Sequence, residues 1–162
     1  MLTEEQIRIA EQSLARQLDW IKSVDTKVSI LVVVNVATLG LLATRIPAKP
    51  EDWCVTALFV CIGAGCYLLS LVFCWMASFP RLESPNLSML FFGSISSRSP
   101  EDYASRFASL SEEAYLADLL TQVHRNAELA SVKFGKVRWA TGLLLVGTLP
   151  WLWCLYVIGS VQ

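Results

Sequence analysis

Three long stretches of this chain alternate with polar, helix-forming segments. Val28 to Ala43, Val55 to Cys74 and Ala140 to Gly159 run for 16, 20 and 20 residues without a single Asp, Glu, Lys, Arg or His. An α-helix rises about 1.5 Å per residue, so runs of this length are close to what crosses a hydrocarbon core of about 30 Å. The pattern predicts an all-α integral membrane protein with three transmembrane helices and a cytoplasmic helical stalk. The expected division is a cytoplasmic amphipathic helix over 1–27, spans at 28–44, 55–76 and 138–159, a short outer turn at 45–54, and a cytoplasmic helical sensor region over 77–137.

The polar segments carry helical periodicity of their own. Thr3-Glu4-Glu5-Gln6 reads as a capping box. No Gly or Pro follows until Gly40, which predicts one helix running from about Glu4 through the first span. Ile7, Ala10, Leu14, Leu18, Ile21 and Val28 give it an apolar seam. A second continuous helix is predicted from Ser111, with Glu112 and Glu113 in its first turn where they suit the helix dipole. Leu116, Leu120, Val123, Ala127, Ala130, Phe134 and Val137 follow at alternating spacings of 4 and 3, a heptad seam. Two such helices side by side form the expected stalk.

Between them, Ser99-Pro100-Glu101-Asp102 has the form of a helix start, with Ser as cap and Pro at the first helical position. The preceding stretch, Asn86 to Ile95, is apolar but too short to span. Its Phe91 and Phe92 either pack against the stalk or line a ligand pocket.

Charge orients the chain. Arg8, Arg16, Lys22 and Lys27 precede the first span, and seven further Lys and Arg lie between the second and third; only Arg45 and Lys49 lie in the outer turn. A cytoplasmic N-terminus and long connection therefore place eleven of the thirteen basic residues inside, with the C-terminus outside. Trp53, Trp75, Trp139, Trp151, Trp153 and Tyr156 sit where interfacial anchors belong. The opening residues do not read as a signal peptide, since hydrophobicity is not sustained until Val28.

A mean hydropathy of +0.50 and 54% hydrophobic residues are high for a soluble domain. A net charge of −1 supplies no basic excess for nucleic acid. The five cysteines lie in or beside the apolar runs without a C-x-x-C pair and act as small hydrophobes. No nucleophile motif, phosphate-cradling glycine loop or zinc signature is present, so neither an enzyme nor a metal or cofactor is expected. Within the spans, Ala57, Cys61 and Gly65 form one small-residue stripe and Ala37, Gly40 and Ala43 another, suited to close helix contact within or between chains. Asn35 is the one amide deep in a span, and Pro150 is expected to kink the third.

On a helical wheel Asp118, Gln122, Asn126 and Lys133 share a sector of about 80° beside the heptad seam. That row either faces solvent or holds a heterocycle or phosphate. His124, the only histidine, lies on the other flank and has no second His or Cys nearby for metal binding. Asp25 and Lys27, at the mouth of the first span, suit an interfacial ion pair or a snorkelling lysine.

Taken in order, Trp20-Ile21, Asp25, Lys27 and Asn35, then Phe91-Phe92-Gly93-Ser94-Ile95, then Asp118, Gln122, His124, Asn126 and Lys133-Phe134 before the last span resemble the marks of the transmembrane Pycsar effectors of bacterial antiphage defence. The resemblance covers nearly the whole chain. It implies a membrane effector in the bacterial inner membrane. A partner pyrimidine nucleotide cyclase makes its signal, cyclic UMP or cyclic CMP, on infection. The effector then impairs the membrane and the cell stops growing or dies before phage spread.

On that reading Phe91, Phe92 and Gly93 are expected to stack on or approach the ligand. Gln122, Asn126 and Lys133 are its expected polar contacts, with His124 beside them, in a homo-oligomer whose ligand pocket is built from the stalk and the 80–110 segment. The rival is a small membrane scaffold whose stalk docks a protein partner.

Overall fold

The computed structural model describes residues 2–44, 53–79 and 88–159, which form five α-helices: α1 (Leu2–Ala43), α2 (Trp53–Ser78), α3 (Phe92–Ser96), α4 (Pro100–Ala108) and α5 (Glu112–Gly159). No strand occurs among the described residues. α1, α2 and α5 are each long and apolar enough to cross a membrane. The protein is thus an all-α membrane protein with three spans. The Thr3 side chain of the expected capping box and the Pro47–Pro50 turn lie outside what is described.

Two compact units make up the fold. Residues 1–23 and 80–131 form one, and residues 24–79 and 132–162 form the other, which holds the spans. Both long helices contribute to both units.

Both helices keep one face inward at spacings of 3 and 4; on α1 that face is largely the predicted seam, with Ala10, Leu14, Ile21 and Val28 on it, whereas on α5 it departs from the seam. Along α1 the inward positions are Ala10, Leu14, Gln17, Ile21, Val24, Val28, Leu31, Asn35, Thr38 and Leu42, while Leu18 is exposed. Along α5 they are Leu119, Gln122, Asn126, Ala130, Lys133, Val137, Ala140, Leu144, Gly147, Pro150 and Cys154. The predicted heptad seam of α5 holds at Ala130 and Val137, which are buried, and elsewhere is turned by about one residue: Leu120 is 54% exposed and Phe134 39%. The polar sector holding Gln122 and Lys133 is the buried side. α5 also continues as helix through Pro150.

In the membrane unit, Val24 and Val28 pack with Cys74, Ala77, Val137 and Ala140. Further along α1, Asn35 reaches back to Ser70 of α2 at 3.0 Å, so α1 and α2 are antiparallel neighbours. Val33, Leu69 and Leu149 point outward, as lipid-facing residues do. The expected small-residue stripes also face away from the packed side. Cys61 is exposed, and neither Gly40 nor Gly65 has an atom within 4 Å of where a Cβ would stand. Gly63 and Gly147 make the close approaches instead; a Cβ on Gly147 would meet Cys66 Cβ at 3.0 Å and the Tyr67 ring at 3.1 Å.

Candidate functional site

The first unit is organised around one serine within the apolar stretch. Ser88 is buried, and its hydroxyl donates to Asp118 Oδ2 at 3.1 Å. The same oxygen accepts from Gln122 Nε2 at 3.0 Å and from the backbone amides of Leu90 and Phe91 at 3.1 and 3.0 Å. Asp118 Oδ2 also accepts from the Met89 amide at 2.7 Å. Asp118 and Gln122 stand four residues apart and so share a face of α5. On that face they clamp the irregular 88–91 segment, which has no ladder of its own to satisfy its amides.

Two further side chains also hold the segment. Arg98 Nη1 donates to the Ser88 carbonyl at 3.4 Å and lies 3.0 Å from Met89 Sδ, and the Tyr103 hydroxyl donates to the Met89 carbonyl at 3.4 Å. Tyr103 comes from α4, whose start matches the sequence expectation: Ser99 Oγ accepts from the Asp102 amide and Pro100 takes the first position. The exposed Glu101 carboxyl in that first turn is held below its ordinary range by backbone amide hydrogen bonding, with Ser99 adding to it.

Phe91 and Phe92 diverge in role. Their rings contact at 4.7 Å between centroids. The Phe91 ring folds over Gly93 so closely that a Cβ there would stand 2.6 Å from Cε1. Phe92 is 67% exposed and offers its ring to whatever approaches. Phe91, Phe92, Gly93 and Gln122 are thereby brought together through Ser88, and Asn126 lies half-buried on the inward face of α5.

His124 stands apart from this group. It is exposed and its Nδ1 lies 3.8 Å from Glu128 Oε1. Lys133 belongs to the membrane unit. Its side chain is 7% exposed and its ammonium lies 2.6 Å from Asp25 Oδ1. Beside that pair, Lys27 lies over the Phe134 ring and Lys136 over Phe73, at 5.4 and 5.7 Å from the centroids. Asp25 thus pairs with a lysine of α5, just ahead of the third span, rather than with its neighbour Lys27.

Sequence reasoning did not single out Ser88, Arg98 or Tyr103. A serine in a non-periodic segment carries no pattern that marks it as a hub. What the cluster provides is an amide, a guanidinium and an exposed aromatic face, groups that read and stack on a heterocycle. Among the described residues no group of His, Cys, Asp and Glu gathers to hold a metal ion.

The same unit has an open groove of about 310 Å³ lined by Gln6, Ile9, Ala10 and Ser13 of α1 and Leu116, Leu120 and Val123 of α5. At its edge the Tyr115 hydroxyl donates to Glu11 Oε1 at 3.0 Å. Burial pushes the Tyr115 phenol above its ordinary value, and the Glu11 carboxylate adds to the shift.

The fold and this cluster define a three-span, all-α membrane protein with a polar helical site in a separate unit. The Pycsar effector protein domain matches residues 9–160, and the chain belongs to that family, the effectors of an antiphage defence system. It is similar to the Pycsar effector protein PtPycTM of Propioniciclava tarda, with 29% identity over 157 residues, covering 88% of this chain and 73% of the relative. No solved structure matches the chain.

Proposed function

We propose that this chain is a membrane effector switched on by a cyclic pyrimidine mononucleotide, cyclic UMP or cyclic CMP, and that its active form impairs the bacterial inner membrane so that an infected cell stops before phage are released. A pyrimidine nucleotide cyclase supplies the signal. The basic residues favour an N-terminus in the cytoplasm and a C-terminus outside. The chain acts as a homo-oligomer, with no catalytic step of its own.

The observation that carries this reading is the Ser88 clamp. An irregular segment leading into an exposed aromatic is held on a helix by its hydrogen bonds to Asp118 and by one, fully buried, from Gln122. A base stacking on Phe92 and competing for the Gln122 amide would exchange those bonds for its own, and so favour a different placement of the segment. A ligand shifts such an equilibrium only by its difference in affinity for the two states. Gln122 and Asn126 are the polar contacts in this scheme. His124 contributes from the solvent side, and Lys133, which lies in the membrane unit, is a separate candidate contact there. The open groove between Ile9 and Leu120 favours the scaffold reading instead, since it is an apolar surface a partner helix fits.

Thermal unfolding of the full chain in detergent with cyclic UMP, cyclic CMP, cyclic AMP, cyclic GMP and the linear monophosphates tests the proposal. Ligand at a hundred times its dissociation constant adds about 2.7 kcal/mol. One cyclic pyrimidine alone is expected to raise the transition, and Gln122→Leu to abolish the rise. No shift with any of them would turn the assignment toward the scaffold.

A further inference from the structure

A nucleotide brings a phosphate as well as a base, and a bound phosphate calls for a cation beside it. Lys133, the cation expected from the sequence, belongs to the membrane unit and holds Asp25 at 2.6 Å. In the unit that carries the Ser88 clamp, three cations already have carboxylates: Arg8 pairs with Glu5, Lys22 with Asp19 and Arg106 with Asp102. Among the described residues of that unit, Arg98 is the cation whose side chain bonds the 88–91 segment.

Arg98 is half-buried, yet the atoms its guanidinium meets are neutral. Nη1 donates to the Ser88 carbonyl at 3.4 Å, a long bond, and lies 3.0 Å from Met89 Sδ, a weak acceptor. It forms no ion pair with any described carboxylate. A guanidinium presents a planar fork of N–H groups that fits two oxygens of one phosphate. Here a single nitrogen makes both contacts, and Nε and Nη2 have no partner among the described residues.

Asp118, the carboxylate of the clamp, is set apart from Arg98 by one peptide. The Met89 N–H that Asp118 accepts and the Ser88 carbonyl that Arg98 holds belong to the same peptide unit. That peptide is trans, so its N–H and C=O point to opposite edges of one plane. An anion arriving at Arg98 meets the guanidinium on the edge away from the Asp118 carboxylate. Gln122, which donates to the Ser88 hydroxyl at 3.0 Å, reaches the same residue that Arg98 does.

We propose that Arg98 is the phosphate contact of the Ser88 clamp, its fork taking the anionic group of the nucleotide whose base stacks on Phe92 and competes for Gln122. The assignment rests on the effector reading above. It also ties binding to release. A guanidinium that turns to a phosphate leaves the Ser88 carbonyl and the Met89 sulfur, so the ligand loosens the segment at Arg98 as well as at Gln122.

The test is the dissociation constant of the full chain in detergent for cyclic UMP and cyclic CMP, measured from low to high sodium chloride. In the parent protein the affinity for the recognised nucleotide is expected to fall as salt rises. Arg98→Gln is expected to weaken it about ten- to a hundredfold at low salt, the strength of a hydrogen bond between charged groups, and to flatten the salt dependence. Arg98→Lys keeps the charge without the fork and is expected to bind between the two. Parent affinity in Arg98→Gln, or a loss that keeps the parent's full salt dependence, overturns the assignment and leaves the effector reading standing. Should Arg98→Gln fail to fold, Arg98→Lys decides, and parent affinity in that variant overturns the assignment. A parent protein that binds neither cyclic pyrimidine overturns both.

Discussion

Buried polar side chains are handled differently in the two units. Gln122 and Asp118 meet an irregular segment, whose free amides and Ser88 hydroxyl bend to suit them. Asn35 and Ser70 meet only helices, their own or a neighbour's. A helix backbone has spent its amides on its own ladder, so there a polar side chain finds another side chain or the spare lone pair of a carbonyl. The irregular segment can rearrange and re-bond in a new place. The span interior satisfies its groups in one arrangement, and even then leaves Asn35 Oδ1 and the Tyr67 hydroxyl over.

The largest effect that tests this contrast is expected at the Asp25–Lys133 pair. Lys133→Glu sets a second carboxylate against Asp25 in a site that already buries the lysine head. Losing a buried partner costs about 3–5 kcal/mol, and the half-exposed Asp25 places this case at the lower end. The charge-exchanged double variant Asp25→Lys with Lys133→Asp should recover much of the loss in thermal unfolding. If it recovers nothing, the pair is not what holds these positions. Because Lys133→Glu disturbs the fold in this way, Gln122→Leu is the cleaner probe of ligand response.

Next in size is the Ser88 clamp. Asp118→Ala leaves the Ser88 hydroxyl and the Met89 amide without their acceptor, for a cost of about 1–3 kcal/mol. Hydrogen exchange should rise across 88–98 and stay unchanged at Asn35 and Ser70. Equal acceleration in both places would show that the units do not differ as described.

Gly147→Ala is expected to cost about 1–3 kcal/mol, because its Cβ meets Cys66 and the Tyr67 ring. Gly65→Ala and Gly40→Ala meet nothing and should unfold like the parent protein. A clear loss from either would report a neighbouring copy on that face. The smallest effect is expected from Tyr115→Phe, under about 1 kcal/mol for a largely solvated bond to Glu11. Its sign with pH is fixed by the raised phenol: the contribution is whole below the ordinary tyrosine value near 10, and fades as pH climbs through the higher folded value. pH titration of the parent protein against Tyr115→Phe should show the gap closing only in alkali.

The helices were legible because charge is absent from the spans and because Ser99-Pro100 and Ser111 mark helix starts. The inward faces were only half legible. An apolar seam locates the interior when the surroundings are water. Lipid removes that contrast, so Leu69 and Leu149 face outward while Asn35, Ser70 and Lys133 face inward. The same inversion reaches Gln122 in the other unit, because the 88–91 segment rather than solvent covers it. Asp118 and Gln122 were visible as a polar row, but what they hold was not, since Ser88 gains its role from tertiary contacts alone.

The 3–4 spacing that keeps Asn35 inward has a consequence for how α1 can vary in length. Each added residue turns everything after it by about 100°. One residue inserted after Ser29 would swing Asn35 off Ser70 toward lipid and bring a neighbouring valine into its place. Seven inserted residues would return it to within about 20° of its present azimuth. A whole heptad restores the phase but carries the amide about 10.5 Å along the axis, so the Asn35–Ser70 contact fixes the length of α1 before it as well as its azimuth.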